Sequence, residues 1–555
     1  MSLCGRGLQG SGGSPSRQIS GDCGRSEIGR YLLFVVCCVS FIGSLNAQEN
    51  PVLEPTELTG GAELAALYCA ACHQLPEPDL LTKESWEYAL TYMGFYMGIV
   101  DYDYMEGSSE RAMDSIRARE EFTRAAGMIP QSPILTPTQW KSLRNHYISS
   151  APEKALPQQA KPIAKVDEDW FRSKPTQFRA SSAIVSMVHM DEENGLLLVH
   201  DSGAQQLTLL DRNLGFFDRH DAPGVSLVDA VTRGEDVYLL SIGDLFASNI
   251  GLASGELQYA KSLGGVYIGL KVLVDGLHRP ADFELADLDR DGVDELLVSN
   301  FGEYTGNFSI YRRPNKDALF DGAPQILSEQ AGIVKSAAHD FNRDGRLDIA
   351  VLMSNARENV SLFLAKPDGS FEQRILIEQH PSFGYTGLLL RDFDGDRRMD
   401  IVTINGDNGD SDPYNTLKRD HGIRVYLNRG DLRFEEAYFY PMYGVFGGVV
   451  EDFDLDGDLD IAAIAYHPDF DAEQPETFVL LEQTTSLTFA PLMNPDANGN
   501  RWMSMDAGDL DGDGDKDIVL GAANLPVGMM DRHEEMYREM VAGDEPLLFL
   551  ENLSK

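Results

Sequence analysis

The chain has 555 residues, with 88 acidic and 46 basic side chains and a net charge of −42. This length allows more than one domain with its own core. Such acidity argues against a nucleic acid as partner, because the phosphate backbone would be repelled.

Residues 1–47 read as a secretory signal peptide. Arg25 and Arg30 precede the apolar run YLLFVVCCVSFIG, and Ala47 is a plausible last residue before cleavage. The run is shorter than the length of about 20 apolar residues that usually spans a membrane. The alternative is that the segment is not cleaved and serves as a membrane anchor. We therefore expect an exported protein, periplasmic, at the outer surface or secreted, with no membrane span after cleavage.

Four of the six cysteines lie within this signal segment, so the mature chain keeps only Cys69 and Cys72. The pattern Cys69-x-x-Cys72-His73 is that of c-type haem attachment, with two thioethers and one axial imidazole. A redox dithiol would more often lie in a βαβ unit, and a zinc site would need two more ligands. The pattern predicts one covalent haem c in residues 48–150.

The sixth haem ligand stays open on the residues alone. A methionine is the usual partner of histidine in electron-transfer cytochromes. Met128 lies in the proline-containing stretch GMIPQSP, whereas Met93 is predicted to end the helix TKESWEYALTY and is followed by Gly94. Other methionines of the segment also qualify, namely Met97, Met105 and Met113. A terminal helix is predicted after Thr136, which suits an N-cap.

Residues 151–168 are rich in Pro, Ala, Gln and Lys and predict a linker. From residue 169 to residue 555 the pattern changes to short strands separated by turns, with almost no helical periodicity. Within this part an acidic motif recurs at intervals of 52 to 60 residues, which indicates an array of structural repeats.

The motif places carboxylates at positions 1, 3, 5 and 9 of a tight loop, usually with glycine at position 6. Alternate oxygen ligands on such a loop suit Ca2+, and the glycine permits the sharp turn. The fourth copy has Arg397 in place of this glycine. We predict up to five calcium ions, with these ligands: Asp287, Asp289, Asp291 and Glu295; Asp340, Asn342, Asp344 and Asp348; Asp392, Asp394, Asp396 and Asp400; Asp452, Asp454, Asp456 and Asp460; Asp509, Asp511, Asp513 and Asp517.

Two further repeats without the ligand set are predicted around Met190 and Asp229, giving seven units. Seven units of about this length suit a seven-bladed β-propeller with four strands per blade. The last unit lacks its outer strand, which we expect from Gln177–Ser182, so that the two ends of the ring are joined. An insertion at Asn405–Gly430 is interpreted either as a mobile loop or as a ligand or docking element.

Beyond these patterns, the chain resembles a known family. The CxxCH motif is followed by Leu75-Pro-x-Pro, Trp86, Met93-Gly94, a proline-containing loop and Trp140 with Tyr147. This order resembles exported bacterial proteins in which a small cytochrome c precedes FG-GAP/VCBS repeats, as in integrin-type propellers. The resemblance implies an all-α haem domain followed by an all-β propeller, favours Met93 over Met128 as axial ligand, and implies that the calcium ions brace one rim without chemistry.

Three functions follow as hypotheses. The first is one-electron transfer, with the propeller docking a redox partner protein, an oxidoreductase or another cytochrome. The second is a propeller that binds a glycan or protein, with the haem as accessory redox or sensing group. The third is a propeller enzyme with a built-in haem acceptor, which is disfavoured because no nucleophile motif or tryptophan-rich quinone repeat is present. We therefore predict an electron carrier and name no catalytic residue.

Overall fold

The computed structural model describes residues 58–554 except 168–169, 246–252, 303, 317, 321, 409–412 and 530–531. The predicted signal peptide therefore lies outside the described residues. Within the described part, no helix combines the length and the apolar character that crossing a bilayer requires.

Residues 58–150 form a helical domain. Its helices are α1 (Gly61–Tyr68), α2 (Lys83–Tyr96), α3 (Glu110–Ala125) and α4 (Pro137–Ser150). The N- and C-terminal helices α1 and α4 pack against each other, and α2 packs against both α3 and α4. Leu64, Trp86, Leu143 and Tyr147 form the core at this crossing, and all four are buried.

The capping residues explain where these helices begin. Thr136 accepts a hydrogen bond from the backbone N–H of Gln139, whose side chain bonds back to the Thr136 backbone, so α4 starts in a capping box. The expectation that Met93 ends α2 is wrong, since the helix continues through Gly94 to Tyr96. Glycine is accommodated there because a Cβ would lie 3.2 Å from the Trp140 ring, and this packing offsets its poor helix propensity.

Seven sheets of the described chain form the rest of the protein, and their innermost strands contact one another in a closed circle. This confirms the predicted seven-bladed propeller. The first three blades comprise β3 (Val185–Asp191), β4 (Leu196–Asp201), β5 (Gln206–Asp211) and β6 (Phe216–Asp221); β7 (Leu227–Arg233), β8 (Asp236–Ser241), β9 (Gly255–Leu263) and β10 (Val266–Leu277); β11 (Pro280–Ala286), β12 (Glu295–Asn300), β13 (Asn307–Tyr311) and β14 (Gln325–Ser328).

The remaining blades follow in the same order, from the innermost strand outwards. They comprise β15 (Ile333–His339), β16 (Asp348–Met353), β17 (Glu358–Ala365) and β18 (Phe371–Gln379); β19 (Tyr385–Arg391), β20 (Asp400–Asn405), β21 (Gly422–Asn428) and β22 (Phe434–Pro441); β23 (Val445–Glu451), β24 (Asp460–Ala465), β25 (Phe478–Thr485) and β26 (Thr488–Met493); β27 (Trp502–Gly508), β28 (Asp517–Ala522) and β29 (Leu547–Asn552).

The apolar runs after the five acidic motifs become the second strands of the third to seventh blades. Every residue of β12, β16, β20, β24 and β28 is buried. These strands are covered on both faces by neighbouring blades, which is why apolar residues follow one another in them instead of alternating with polar ones.

The seventh blade is completed from the N-terminal side, but by a different segment from the one expected. Strand β2 (Phe171–Lys174) pairs antiparallel with β29 and supplies the outer strand, so the assignment to Gln177–Ser182 is wrong. Pro175 follows β2 directly and has no N–H to continue the ladder. Residues 177–182 instead cross towards the first blade, and the N–H groups of Ala180 and Ser182 bond to the carbonyls of Asp544 and Val541.

Two further elements depart from the sequence expectation. The linker contributes a short strand, β1 (Lys165–Val166), which pairs parallel with β26 at the edge of the sixth blade. Helix α5 (Glu534–Ala542) lies in the connection between β28 and β29, within a region where strands alone were predicted.

Candidate haem and cation sites

The CxxCH residues lie where α1 ends. Cys69 still has helical backbone angles, and its N–H bonds to the Ala65 carbonyl at 2.9 Å. The Cys72 N–H then bonds to the Cys69 carbonyl at 3.3 Å, which closes a turn around the two thiols. Both cysteines are free thiols, with Cys69 half-buried and Cys72 exposed. The two thiols and the imidazole therefore come from one continuous turn at the edge of the helical domain.

The imidazole of His73 is oriented by one nitrogen. Its Nδ1 lies 2.9 Å from the carbonyl oxygen of Gln74, so Nδ1–H is the donor and the neutral ring keeps a lone pair on Nε2. Burial lowers the pKa of His73, which favours this neutral form. Burial also raises the pKa of the Cys69 thiol to about 11, so this thiol is not an activated redox nucleophile. These properties fit a haem ligand better than a reactive dithiol.

The structure places the candidate methionines in different surroundings. Met97 is half-buried against the cluster that contains Cys69, Trp86 and Tyr147. Met93 packs instead against a second cluster formed by α2, α3 and Tyr414. The side chain of Met128 is 38 % exposed. Met93 and Met128 remain predictions as sixth ligand, and of the other candidates Met97 is the one that shares a cluster with Cys69.

The helical domain rests on one face of the propeller. Arg357, between β16 and β17, donates from Nε to the Cys72 carbonyl at 3.1 Å. Arg419, between β20 and β21, donates two hydrogen bonds to Asp79, at 2.9 and 3.2 Å. Arg532, between β28 and β29, pairs with Glu84 at 2.9 Å. Exposed ion pairs contribute only about 0–1 kcal/mol each to stability. We therefore expect these pairs to determine the orientation of the helical domain and to contribute little to the energy of its association with the propeller.

Two tyrosines of the propeller make apolar contacts at this interface. Tyr414, from the Asn405–Gly430 insertion, is 7 % exposed and lies in one cluster with Tyr88 and Phe95 of α2. Tyr304, between β12 and β13, stacks on Phe122 of α3 with ring centroids 4.9 Å apart. The described residues of the insertion therefore have a docking role, towards the chain's own helical domain.

The five acidic loops each connect the first and second strands of a blade. In each loop the position-1 aspartate accepts the backbone N–H of position 6, for example Gly292 to Asp287 at 3.0 Å and Arg397 to Asp392 at 2.8 Å. In four loops, ligand oxygens of three carboxylates lie within 4.8 Å of one another. These groups are Asp287, Asp289 and Asp291; Asp392, Asp394 and Asp400; Asp452, Asp454 and Asp456; Asp509, Asp511 and Asp513.

The loop at Asp340 has the same fold with an amide in place of one acid. Asp344 N–H bonds to both Asp340 and Asn342, at 3.0 and 2.9 Å, and Gly345 N–H bonds to Asp340 at 2.9 Å. Its Asn342 offers a carbonyl oxygen instead of a carboxylate, which is still a ligand for Ca2+.

The loop with arginine at position 6 keeps the common turn. Glycine at this position has a φ of +87° at Gly292 and +103° at Gly514, and Arg397 has a φ of +67° in the same left-handed region. A side chain there is unfavourable by about 1–2 kcal/mol. The loop at Asp392 therefore retains the geometry of the others at the expense of backbone strain.

The position-9 acids link each loop to the buried strands. Asp517 is 1 % exposed, and its Oδ1 accepts the N–H of Asn552 at 3.0 Å. Its Oδ2 has no hydrogen-bond partner within the described chain, and the same is true of Oδ2 of Asp348. Burial raises the pKa of Asp460 and of Asp517 to about 7, and neighbouring carboxylates in each loop contribute to the increase. Buried, unpartnered oxygens beside a group of acids fit a bound cation.

The two candidate sites lie on opposite faces of the ring. The acidic loops follow the first strand of each blade, whereas the contacts to the helical domain come from connections between the second and third strands. Successive connections in an antiparallel sheet lie at opposite edges. The acidic loops are therefore remote from Cys69, Cys72 and His73.

A family model described as an FG-GAP-like repeat matches residues 287–351 and 340–403. This match covers part of the propeller, from the acidic loop of the third blade to the second strand of the fifth. No curated protein matches the chain. Among solved structures, the chain is similar to one in an S. cerevisiae assembly described as a Dbp5 variant bound to Nup159, a Gle1 variant, IP6 and ADP. That similarity has a TM-score of 0.41 and 10% identity, over 72% of this chain and 99% of that chain. The architecture rests on the strand order and not on this likeness.

Proposed function

We propose that the protein is an exported c-type haem protein for one-electron transfer, in which a calcium-stabilised propeller serves as docking scaffold. The observation that carries the proposal is the turn at the end of α1, which presents two free thiols and an oriented imidazole. A haem bound there would supply a single-electron couple. FG-GAP repeats are typical of extracellular proteins, which agrees with export.

Each residue of the turn has a defined part. The thiols of Cys69 and Cys72 would hold the porphyrin covalently, and Nε2 of His73 would bind the iron while Gln74 fixes the ring through Nδ1. Arg357 positions the Cys72 carbonyl from the propeller. The exposed Cys72 marks the edge at which an electron would enter or leave by contact with a redox partner protein.

In this proposal, calcium stabilises the propeller and takes no part in chemistry. The unpartnered oxygens of Asp348 and Asp517 and the four carboxylate groups support a cation in the loops. At a free calcium concentration of about 100 times the dissociation constant, one bound ion stabilises the folded protein by roughly 2.7 kcal/mol.

The experiment is to produce the full chain in a host that attaches haem c, and to compare it with a Cys69→Ala/Cys72→Ala variant. We expect a pyridine haemochrome spectrum of one haem per chain, retained after denaturation, and a reversible one-electron titration in the wild type. The variant should lose covalent haem while keeping its strand content. A wild-type protein that is colourless after maturation would refute the proposal.

A further inference from the structure

Arg144 on α4 is a buried cation whose hydrogen-bonding capacity is largely unused. Its side chain is fully buried, with 0 % exposure. Its Nη1 donates to Thr91 Oγ1 at 3.3 Å, whereas Nε and Nη2 have no acceptor within the described chain. Buried guanidinium groups are normally paired, because an uncompensated charge is unfavourable in a medium of low polarity. Two of its three nitrogen atoms therefore have no acceptor among the described residues.

The surrounding side chains do not supply that acceptor. The guanidinium carbon lies 3.7 Å from the centre of the Tyr104 ring and 5.5 Å from the Trp140 ring, so aromatic faces occupy two sides. Asp101 and Glu87 are near enough to affect Arg144 electrostatically, but neither accepts a hydrogen bond from it in the described residues. Burial lowers the pKa of Arg144 to about 10, which leaves it positively charged at neutral pH.

The position of Arg144 on its helix directs it towards the proposed haem. Residues 140, 144 and 147 share one face of α4, since they are spaced by four and three positions. Trp140 and Tyr147 pack on this face in the cluster that contains Cys69, and Tyr147 also donates to the Pro76 carbonyl just after the CxxCH turn. Arg144 thus lies within one helical turn of a residue that adjoins the haem-binding cysteine.

We infer that Arg144 is the propionate-binding residue of the haem, donating Nε–H and Nη2–H to one carboxylate of the porphyrin. The inference rests on the proposed function. A carboxylate suits the two adjacent donors, because guanidinium and carboxylate groups match in a bidentate geometry. In this arrangement Arg144 neutralises the propionate and keeps it ionised, so reduction of the iron is not accompanied by proton uptake there.

The test is a redox titration of the haem-loaded full chain with mediator dyes between pH 5 and pH 8, for wild type and Arg144→Gln. We expect a potential that changes little with pH in the wild type. In the variant the propionate would bind a proton when the iron accepts an electron. Its potential should then be lower at pH 8, with a slope of up to about 59 mV per pH unit, the one-electron equivalent of a tenfold change in proton activity.

Two further variants separate binding from packing. Thr91→Val removes the one side-chain acceptor of Arg144 and should leave the pH profile of the potential unchanged. Arg144→Lys keeps the charge, and it should preserve the wild-type potential while shifting the propionate-bending band in resonance Raman spectra. This second measurement serves if Arg144→Gln does not fold.

An Arg144→Gln protein that binds haem, melts at a lower temperature and keeps the wild-type potential at every pH would overturn the inference. A Thr91→Val profile equal to that of Arg144→Gln, or an unchanged propionate band in Arg144→Lys, would do the same. A wild-type protein without haem would instead refute the proposed function itself, so the two failures are distinguishable.

Discussion

Arg357 of the fourth blade donates a hydrogen bond to the backbone carbonyl of Cys72, with 3.1 Å between Nε and the oxygen. A propeller residue thereby contacts the turn of the helical domain that carries the CxxCH motif. The same positive charge lowers the pKa of His73, although burial is the larger cause. Residues of both domains therefore contribute to the proposed haem site.

Replacing Arg357 by Gln should lower the haem potential. Removing a positive charge near the iron favours the oxidised state, by on the order of 0.5 kcal/mol or 20 mV for one electron across partly solvated space. The decrease should diminish at high salt, because exposed charges are screened. Arg374, exposed on β18 of the same blade, is the matched control, and Arg374→Gln should leave the potential unchanged. Equal shifts in both variants would show a general charge effect.

Replacing Tyr414 by Ala should loosen the helical domain from the propeller. Loss of a large buried aromatic side chain costs about 3–5 kcal/mol, part of which here is interface energy. We expect faster proteolysis in residues 151–164 and a separate, earlier unfolding transition for the helices. Tyr414→Phe keeps the ring and should stay close to wild type. A single unchanged transition in Tyr414→Ala would mean that the insertion does not hold the domain.

Calcium should stabilise the protein more strongly at high pH. The raised pKa of Asp460 and Asp517, about 7 against an ordinary 3.8, means that the folded metal-free protein retains protons that the unfolded chain has released. The contribution of these two carboxyl groups to the stability of the metal-free protein is therefore fully present below pH 3.8 and is lost as the pH rises through about 7. A bound cation offsets this loss. The difference in melting temperature between calcium and chelator should be larger at pH 8 than at pH 5.

Asp517→Asn is the control for this pH dependence. The amide oxygen can still accept the Asn552 N–H, but the buried charge is absent. In chelator at pH 8 this variant should melt no lower than wild type, while its gain from calcium should be smaller. The haem spectrum should not respond to calcium in either protein, because the loops lie on the opposite face. A calcium effect independent of pH would contradict the role given to these carboxyls.

Replacing Arg397 by Gly should stabilise the fifth blade. Glycine adopts the left-handed conformation without a clash, and the relief of about 1–2 kcal/mol is partly cancelled by the greater freedom of glycine in the unfolded chain. We expect a net gain of up to about 1 kcal/mol, measured by chemical denaturation in chelator. Gly457→Arg in the next blade is the reverse change, at a φ of +97°, and should destabilise. A loss of stability in Arg397→Gly would show that the arginine side chain makes a stabilising contact.

Replacing Phe171 by Ala should weaken the closure of the propeller by β2 and β29. Its ring is 6 % exposed and lies 5.7 Å from that of Phe453, so the substitution removes both core packing and an anchor of β2. The expected loss is about 3–5 kcal/mol in the free energy of unfolding. Arg172→Ala, on the exposed side of the same strand, should lose at most about 1 kcal/mol with its ion pair to Glu551. Equal losses of unfolding free energy in Phe171→Ala and Arg172→Ala would mean that the pairing of β2 with β29, and not the packing of Phe171, closes the propeller.

The repeats were predictable because each acidic motif is followed by an apolar run, as in DIAVLM and DIAAIA, and the structure makes these runs buried second strands. The helix α4 followed from Thr136 and the proline after it. The position of β2 did not follow, because Phe171–Lys174 and Gln177–Ser182 are similarly short and mixed in composition. Only the packing of Phe171 and the stop at Pro175 decide between them.

The candidate site residues also fall into those that the sequence predicts and those that it does not. Cys69, Cys72 and His73 are adjacent in sequence, so their meeting in one turn could be foreseen. The contacts Arg357–Cys72 and Tyr414–Tyr88 join residues from different domains, and no local pattern identifies them. Arg144 gave a weak signal as a lone cation in an otherwise apolar stripe of α4, which sequence reasoning passed over. Helix α3, from Glu110 to Ala125, was also missed, because its strongly charged sequence has a narrow apolar face.

The pairing of β2 with β29 has a consequence for biosynthesis. Strand β2 leaves the ribosome before any blade, but its partner Leu547–Asn552 is translated after all the others. Until Leu547–Asn552 has been added, the blades can form only an open arc with an unsatisfied edge, and the circle can close only after this strand is present. The helical segment precedes the blades in the chain, so attachment of the proposed haem would not need to wait for the ring to close.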